Sequence, residues 1–102
     1  MYRGTTPTVA IILPIDAKQV TTCYVTFAQF HREVFTKQLS DCTIKENDSK
    51  ILYLKLSQQD TLSLQCSCDV DIQVRCKLED GTTLASRPVS LPVDEIYMEG
   101  EI

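Results

Sequence analysis

The feature that most constrains the fold is a run of strict alternation between apolar and polar side chains, "DVDIQVRCKL", at residues 69–78. Val70, Ile72, Val74, Cys76 and Leu78 form the apolar row, and charged or amide side chains lie between them. A repeat of two residues is typical of a β-strand with one buried face. The pattern therefore predicts a half-buried strand over this segment.

Other segments of the chain alternate in the same way. Three inward rows are predicted: Val9, Ile11 and Leu13; Cys23, Val25 and Phe27; and Leu52, Leu54 and Leu56. "EVFTKQL" (33–39) predicts a more polar strand. "TLASRPVSLPV" (83–93) predicts a long final strand, and its prolines place it at an edge or a bulge because they donate no hydrogen bond. Since no long segment keeps helical spacing, the chain is predicted to be all-β.

Turn signals separate these strands. "FHRE" (30–33) predicts a tight hairpin and "EDGTT" (79–83) an Asp-Gly hairpin, whereas "KENDSK" (45–50) predicts a polar loop whose Asn and Asp suit positive φ. Ser57, followed three residues later by Asp60, predicts the N-cap of one short helical turn. The spacing of these signals predicts a β-sandwich of about seven strands.

With 102 residues, the chain is predicted to form a single domain, residues 1–102, whose last part, residues 92–102, is a C-terminal arm. The arm carries apolar side chains among acids, which is typical of a segment that packs on its own domain or on a neighbouring subunit. The possible partner contacts are Ile96, Tyr97, Met98 and Ile102.

Charge and hydropathy exclude two kinds of partner. The net charge is −4 and the lysines and arginines are scattered, which argues against nucleic acid. The apolar run at residues 9–13 is far shorter than the roughly 20 residues of a membrane span, and a signal peptide's basic start and cleavage site are missing. We therefore expect no membrane partner and synthesis inside the cell.

Five cysteines raise the question of a metal site, a redox pair or a disulfide. Cys66 and Cys68 have one residue between them and acidic neighbours, which suits neither a zinc site nor a reactive Cys-x-x-Cys pair, so free thiols are favoured. Cys23 and Cys76 both lie on inward rows. They are interpreted either as an inter-sheet disulfide of the immunoglobulin type or as two small apolar core residues; the lack of tryptophan counts against the disulfide.

The sequence contains no recognisable catalytic motif. His31 is the only histidine, and the three glycines are isolated, so neither a nucleophile with its base nor a phosphate-binding loop is indicated. We expect no catalytic residues, no metal, no cofactor and no small-molecule substrate. These expectations favour binding or assembly over enzymatic activity.

Four segments, "MYRGTTPTVAIILP", "LSQQDTL", "DVDIQVRCKLEDGTTLASRPVSLPV" and "EIYMEGEI", carry a resemblance that covers nearly the whole chain. The chain resembles small structural proteins of phages and prophages of Gram-positive bacteria. It is also similar to the N-terminal immunoglobulin-like domain of siphophage upper baseplate proteins. The resemblance implies an immunoglobulin-like sandwich, a tail or baseplate role, protein partners within a phage particle including further copies of the chain, and a place in the virion or the bacterial cytoplasm.

Two other functional classes remain open at this point. A ligand-binding module, for carbohydrate or for a bacterial partner protein, would present aromatic side chains clustered on one face. A small enzyme or metalloprotein would need a bound metal or a thiol of low pKa.

Overall fold

The structure, a computed structural model, describes residues 1–102 and is built almost entirely of β-strands. The elements in chain order are β1 (Thr8–Ile12), β2 (Val20–Gln29), β3 (Arg32–Gln38), β4 (Cys42–Lys45), β5 (Asp48–Lys55), α1 (Gln58–Leu62), β6 (Val70–Leu78), β7 (Thr83–Ala85) and β8 (Val89–Leu91). Two short 3-10 turns, Ala17–Gln19 and Leu39–Asp41, were not predicted. The all-β prediction is confirmed.

The strands form two antiparallel sheets that pack into a sandwich. The smaller sheet has the order β1-β5-β4, and the larger one has the order β3-β2-β6, with β7 and β8 both pairing with the far side of β6. This order corresponds to strands B-E-D and C′-C-F-G of the immunoglobulin arrangement, with no strand in the A position beside β1. The edges of the sandwich are therefore β1, β4, β3 and the β7–β8 pair.

The predicted inward rows form the core. Val25, Phe27, Leu52 and Leu54 are fully buried, and they belong to one cluster of sixteen buried hydrophobic residues contributed by both sheets. The ring of Phe27 stacks on Phe35 of β3 at a centroid distance of 4.5 Å. Each such side chain contributes about 1.5–3 kcal/mol when it is removed from water, so this cluster is the main source of stability.

The predicted turns are present, with one correction. Phe30 and His31 connect β2 to β3 and both have positive φ, 54° and 61°, as the twist of a two-residue hairpin requires. The predicted polar loop at 45–50 is a tight turn between the paired residues Lys45 and Asp48. Neither Asn47 nor Asp48 has a positive φ, so that part of the prediction was wrong.

The short helix begins where the sequence predicts. The Ser57 hydroxyl accepts a hydrogen bond from the Asp60 N–H at 3.1 Å, and the Asp60 carboxylate accepts one from the Ser57 N–H at 2.9 Å. This reciprocal pair satisfies two backbone donors that a helix start leaves free. Both predicted capping residues are confirmed.

The final strand differs from its prediction, because it is divided into β7 and β8. At the break, the Val74 N–H donates to the Ser86 hydroxyl at 3.0 Å rather than to a backbone carbonyl, and Pro88 has no N–H to continue the ladder. The Ser86 N–H still donates to the Val74 carbonyl at 2.8 Å, and after Arg87 and Pro88 the chain pairs with β6 again at Val89. The predicted edge position is confirmed, and the single long strand is not.

Candidate interaction surface

A long apolar groove runs along one side of the sandwich, between the edge of the smaller sheet and the edge of the larger one. It has a volume of about 560 Å³. Its walls are residues 9–15, which comprise most of β1 and the segment after it; Ile72, Val74 and Cys76 of β6; and residues 84–86, Val89 and Leu91 of the final strands. None of these residues is charged or aromatic. We call this feature the apolar groove.

The strand that forms one wall of the apolar groove has an unpaired backbone edge. The Leu13 N–H donates to the Lys50 carbonyl at 2.7 Å, and the Leu56 N–H donates to the Pro7 carbonyl at 2.9 Å. In an antiparallel strand the backbone N–H and C=O groups of successive residues point to opposite sides, so those of Val9 and Ile11 also point to β5. The N–H and C=O groups of Thr8, Ala10 and Ile12 consequently point to the edge that no strand covers.

The backbone of the C-terminal arm packs on its own domain, whereas most of the apolar side chains of the arm are exposed. Tyr97, Met98 and Ile102 are 99%, 68% and 92% exposed. Ile96 is half-buried, and Val93, earlier in the arm, is buried. Of the four predicted partner contacts, three are therefore displayed to solvent and the fourth, Ile96, packs at least partly on the domain.

Polar contacts hold the arm in place from Asp94 onward. The Asp94 carbonyl accepts a hydrogen bond from the Arg3 N–H at 3.1 Å, and the Asp94 N–H donates to the Met1 carbonyl at 2.6 Å. The Arg3 guanidinium donates to the carbonyls of Leu62 and Leu64 at 2.9 and 2.7 Å and forms an ion pair with Glu99. Further on, the Gln58 side chain donates to the Ile102 carbonyl at 3.2 Å and accepts from its N–H at 2.9 Å. The exposed side chains of Tyr97 and Met98 lie between the contacts made by Asp94 and the ion pair made by Glu99.

The cysteines are all free thiols. Cys23 of β2 and Cys76 of β6 are direct partners within the larger sheet, and their sulfur atoms are 3.8 Å apart. The inter-sheet disulfide interpretation was therefore wrong, since both residues belong to the same sheet, and the interpretation as buried apolar residues is confirmed. Burial raises the pKa of the Cys23 thiol to about 12, and the neighbouring Cys76 thiol adds to this effect.

The remaining candidates for chemistry are dispersed. Cys66 is exposed in the turn before β6, and His31 is exposed at the tip of the β2–β3 hairpin. No three histidine, cysteine, aspartate or glutamate side chains come together as a metal-binding group. The structure contains no helix with the length and apolar character needed to cross a membrane.

Two buried polar residues, Gln29 and Thr61, were not predicted from the sequence. Gln29, at the end of β2, donates to the Gln65 carbonyl and accepts from its N–H, both at 2.8 Å. Thr61 of α1 donates its hydroxyl to the Thr5 carbonyl at 2.8 Å. Each hydrogen bond fixes a loop to an element that is distant in sequence, and a local sequence pattern does not predict such a contact.

The apolar groove was also missed, although two of the predicted inward rows, those of β1 and β6, contribute to its walls. Alternation predicts which face of a strand an apolar side chain lies on, but it does not show whether another element covers that face.

Comparison of the chain with models of protein families, with curated proteins and with solved structures gives no match.

Proposed function

We propose that this chain is a non-enzymatic structural protein of a phage or prophage particle, in which it acts as a protein–protein interaction module of the tail or baseplate. The observation that carries the proposal is the apolar groove beside the uncovered edge of β1. Apolar surface next to unpaired backbone groups is typical of a surface that another protein chain covers. The resemblance of four sequence segments to phage proteins supplies the setting.

The C-terminal arm supports the same proposal with a second surface. Aromatic and methionine side chains are enriched at protein interfaces, and Tyr97 and Met98 are exposed on a backbone segment that is held at Asp94 before them and at Glu99 after them. Because the backbone of the arm is already ordered, it loses little conformational entropy when a partner binds these side chains.

A ligand-binding module is the alternative, and the volume of the apolar groove favours it, since small-molecule sites occupy roughly 300–1,000 Å³. The lining argues against carbohydrate. No aromatic ring is present to stack on a sugar, and no charged side chain is present to bind its hydroxyl groups. A ligand for this groove would be apolar.

The direct test is mass spectrometry of purified particles after prophage induction in the source bacterium. We expect the chain at a fixed ratio to the major tail protein. Intact particles that lack the chain would contradict the proposal.

A variant makes this test specific to the arm. Replacing both Tyr97 and Met98 by alanine removes exposed groups only, so the fold should be retained while the amount of chain in particles falls. Tyr24→Ala is the matched control, because Tyr24 is an exposed tyrosine on β2, away from the arm, and we expect normal incorporation.

A further inference from the structure

The four edges of the sandwich differ in their protection against pairing with another strand. Natural sheets protect their edges with charged side chains, prolines or interruptions. The β3 edge carries Arg32, Glu33 and Lys37, and the β7–β8 edge is interrupted by Arg87 and Pro88. The short strand β4 ends in a lysine at a register shift.

The β1 edge has none of these protections. Its five residues, Thr8–Ile12, are uncharged and contain no proline or bulge. Ile12 is 79% exposed, and the apolar groove lies directly alongside. An unprotected apolar edge of this kind binds a further strand.

We propose that this edge pairs with the same edge of a second copy of the chain, so that two β1 strands join antiparallel about a two-fold axis at Ala10. This inference rests on the proposed function, because it names the partner of the surface that carries that function. The pairing would join the two small sheets into one continuous sheet of six strands, in the order β4-β5-β1 followed by the same strands of the second copy in reverse.

The backbone groups of the edge are self-complementary under this symmetry. With Ala10 opposite Ala10, Thr8 lies opposite Ile12 and Ile12 opposite Thr8 of the second copy. These three residues are the ones whose N–H and C=O groups point outward, so each of the three pairs forms two hydrogen bonds. Pro14 has no N–H and ends the pairing after Ile12.

Charge makes this edge the place where two copies of the chain can meet. Two chains of net charge −4 repel each other over most of their surfaces. The segment from Thr5 to Ile15 and the whole lining of the apolar groove are uncharged, so two copies meet there without opposing like charges. A two-fold axis perpendicular to the joined sheet also turns the two grooves toward each other, which brings their exposed valines, Val89, to the same side.

The side chains at the contact fit this arrangement. On the inner face Val9 would lie opposite Ile11 of the second copy, and on the outer face Thr8 would lie opposite Ile12. All of these residues are β-branched, and such cross-strand pairs pack well on a pleated surface. The small Ala10 at the axis lets the strands approach without a clash.

Sedimentation velocity of the purified chain, from dilute solution to near saturation, tests the inference with two variants. Ile12→Lys changes an exposed residue and should weaken the dimer by at least about tenfold. Ala10→Pro removes an N–H that has no partner within the chain and should leave only monomer. The control is Thr43→Lys, which adds the same charge on β4, at the opposite edge of the same sheet, and should dimerise as the unmodified chain does.

Amide hydrogen exchange provides a readout that depends on register. The amides of Ala10 and Ile12 should exchange rapidly in dilute protein and slowly in concentrated protein. Those of Val9 and Ile11, which already bond to β5, should be protected at both concentrations. Concentration-dependent protection at another strand instead of β1 would overturn the inference.

The two proposals fail in different ways. A chain that stays monomeric at all concentrations, with exposed Ala10 and Ile12 amides, overturns the pairing, and this holds even if the chain is found in particles. If such a monomer still needs Ile12 for incorporation, the edge binds a strand of a different protein and the second copy is excluded. Dimerisation lost in Ile12→Lys but kept in Thr43→Lys supports the inference, even where particles lack the chain.

Discussion

Cys23 and Cys76 illustrate how the surroundings of a residue decide its chemistry. Both thiols are buried between the sheets, on neighbouring strands of the larger one, at a sulfur–sulfur distance of 3.8 Å. Burial raises the pKa of Cys23 to about 12, because the low-dielectric core disfavours a thiolate and the nearby Cys76 thiol disfavours it further. Since the thiolate is the reactive form, these residues serve as small apolar core side chains.

We predict a strong contrast in alkylation between the cysteines. In native protein at pH 8, iodoacetamide should modify Cys66 first, because it is exposed, and leave Cys23 and Cys76 unmodified. Peptide mapping by mass spectrometry after timed quenching measures the rate at each site. Unfolded protein is the control, since all five thiols should react in urea. Modification of Cys23 as fast as Cys66 in native protein would contradict the burial described above.

The sequence predicted that these two cysteines face inward, and it could not predict that they share a sheet. Alternation is a local property, and it correctly placed Cys23 and Cys76 on buried rows. Their pairing depends on the contact of β2 with β6, which joins residues 53 positions apart. Only the order of strands within each sheet distinguishes neighbours in one sheet from partners across the core.

At the scale of elements, the short helix α1 depends on one carboxylate. Asp60 caps the helix start and forms an ion pair with Lys37 of β3 at 3.0 Å. Burial alone would raise the pKa of this carboxyl, but hydrogen bonds from Ser57 and the interaction with Lys37 outweigh it and lower the pKa below 3.8. The ionised form is therefore favoured in the folded state.

This lowered pKa predicts a particular dependence of stability on pH. A carboxyl whose pKa is lower in the folded state stabilises the protein above its ordinary pKa and loses that contribution as pH falls through the folded pKa. The difference in unfolding free energy between the unmodified chain and Asp60→Asn should accordingly be largest near neutral pH and shrink below about pH 4. Urea denaturation at a series of pH values measures it.

Glu46→Gln is the matched control for this experiment. Glu46 is exposed in the β4–β5 turn and makes no hydrogen bond or ion pair, so its removal should change stability little at any pH. A difference for Asp60→Asn that is constant from neutral to acid pH would show that the carboxylate charge contributes nothing.

The elements that could be predicted are those whose cause is local. The capping pair of Ser57 and Asp60 and the Asp-Gly turn each arise from residues close in sequence. The division of the final strand arises because the Ser86 hydroxyl replaces a backbone acceptor for Val74, a contact across two strands. The apolar groove likewise requires β1 to lie beside β6, β7 and β8, and no segment of the sequence contains that information.

At the scale of the whole molecule, the first residues and the C-terminal arm close the sandwich together. Tyr2 pairs with Asp94, and the Asp94 N–H donates to the Met1 carbonyl at 2.6 Å. Val93 is buried in the core, and Gly4 lets Ile96 approach closely, because a Cβ at Gly4 would lie 3.0 Å from the Ile96 Cδ1. The stabilising part of the arm is therefore its beginning.

This division of the arm predicts that two changes lower the free energy of unfolding by different amounts. Removing residues 97–102 deletes exposed side chains, the Arg3–Glu99 ion pair and the Gln58–Ile102 contacts, so the free energy of unfolding should fall by no more than about 1 kcal/mol. Val93→Ala deletes two buried carbon atoms and leaves a small cavity, so it should cost about 2 kcal/mol although it changes only one residue. Urea denaturation of both variants measures the difference. If the deletion proved the more destabilising change, residues 97–102 would be part of the folded domain, and Tyr97, Met98 and Ile102 would be poor candidates for contacts with a partner.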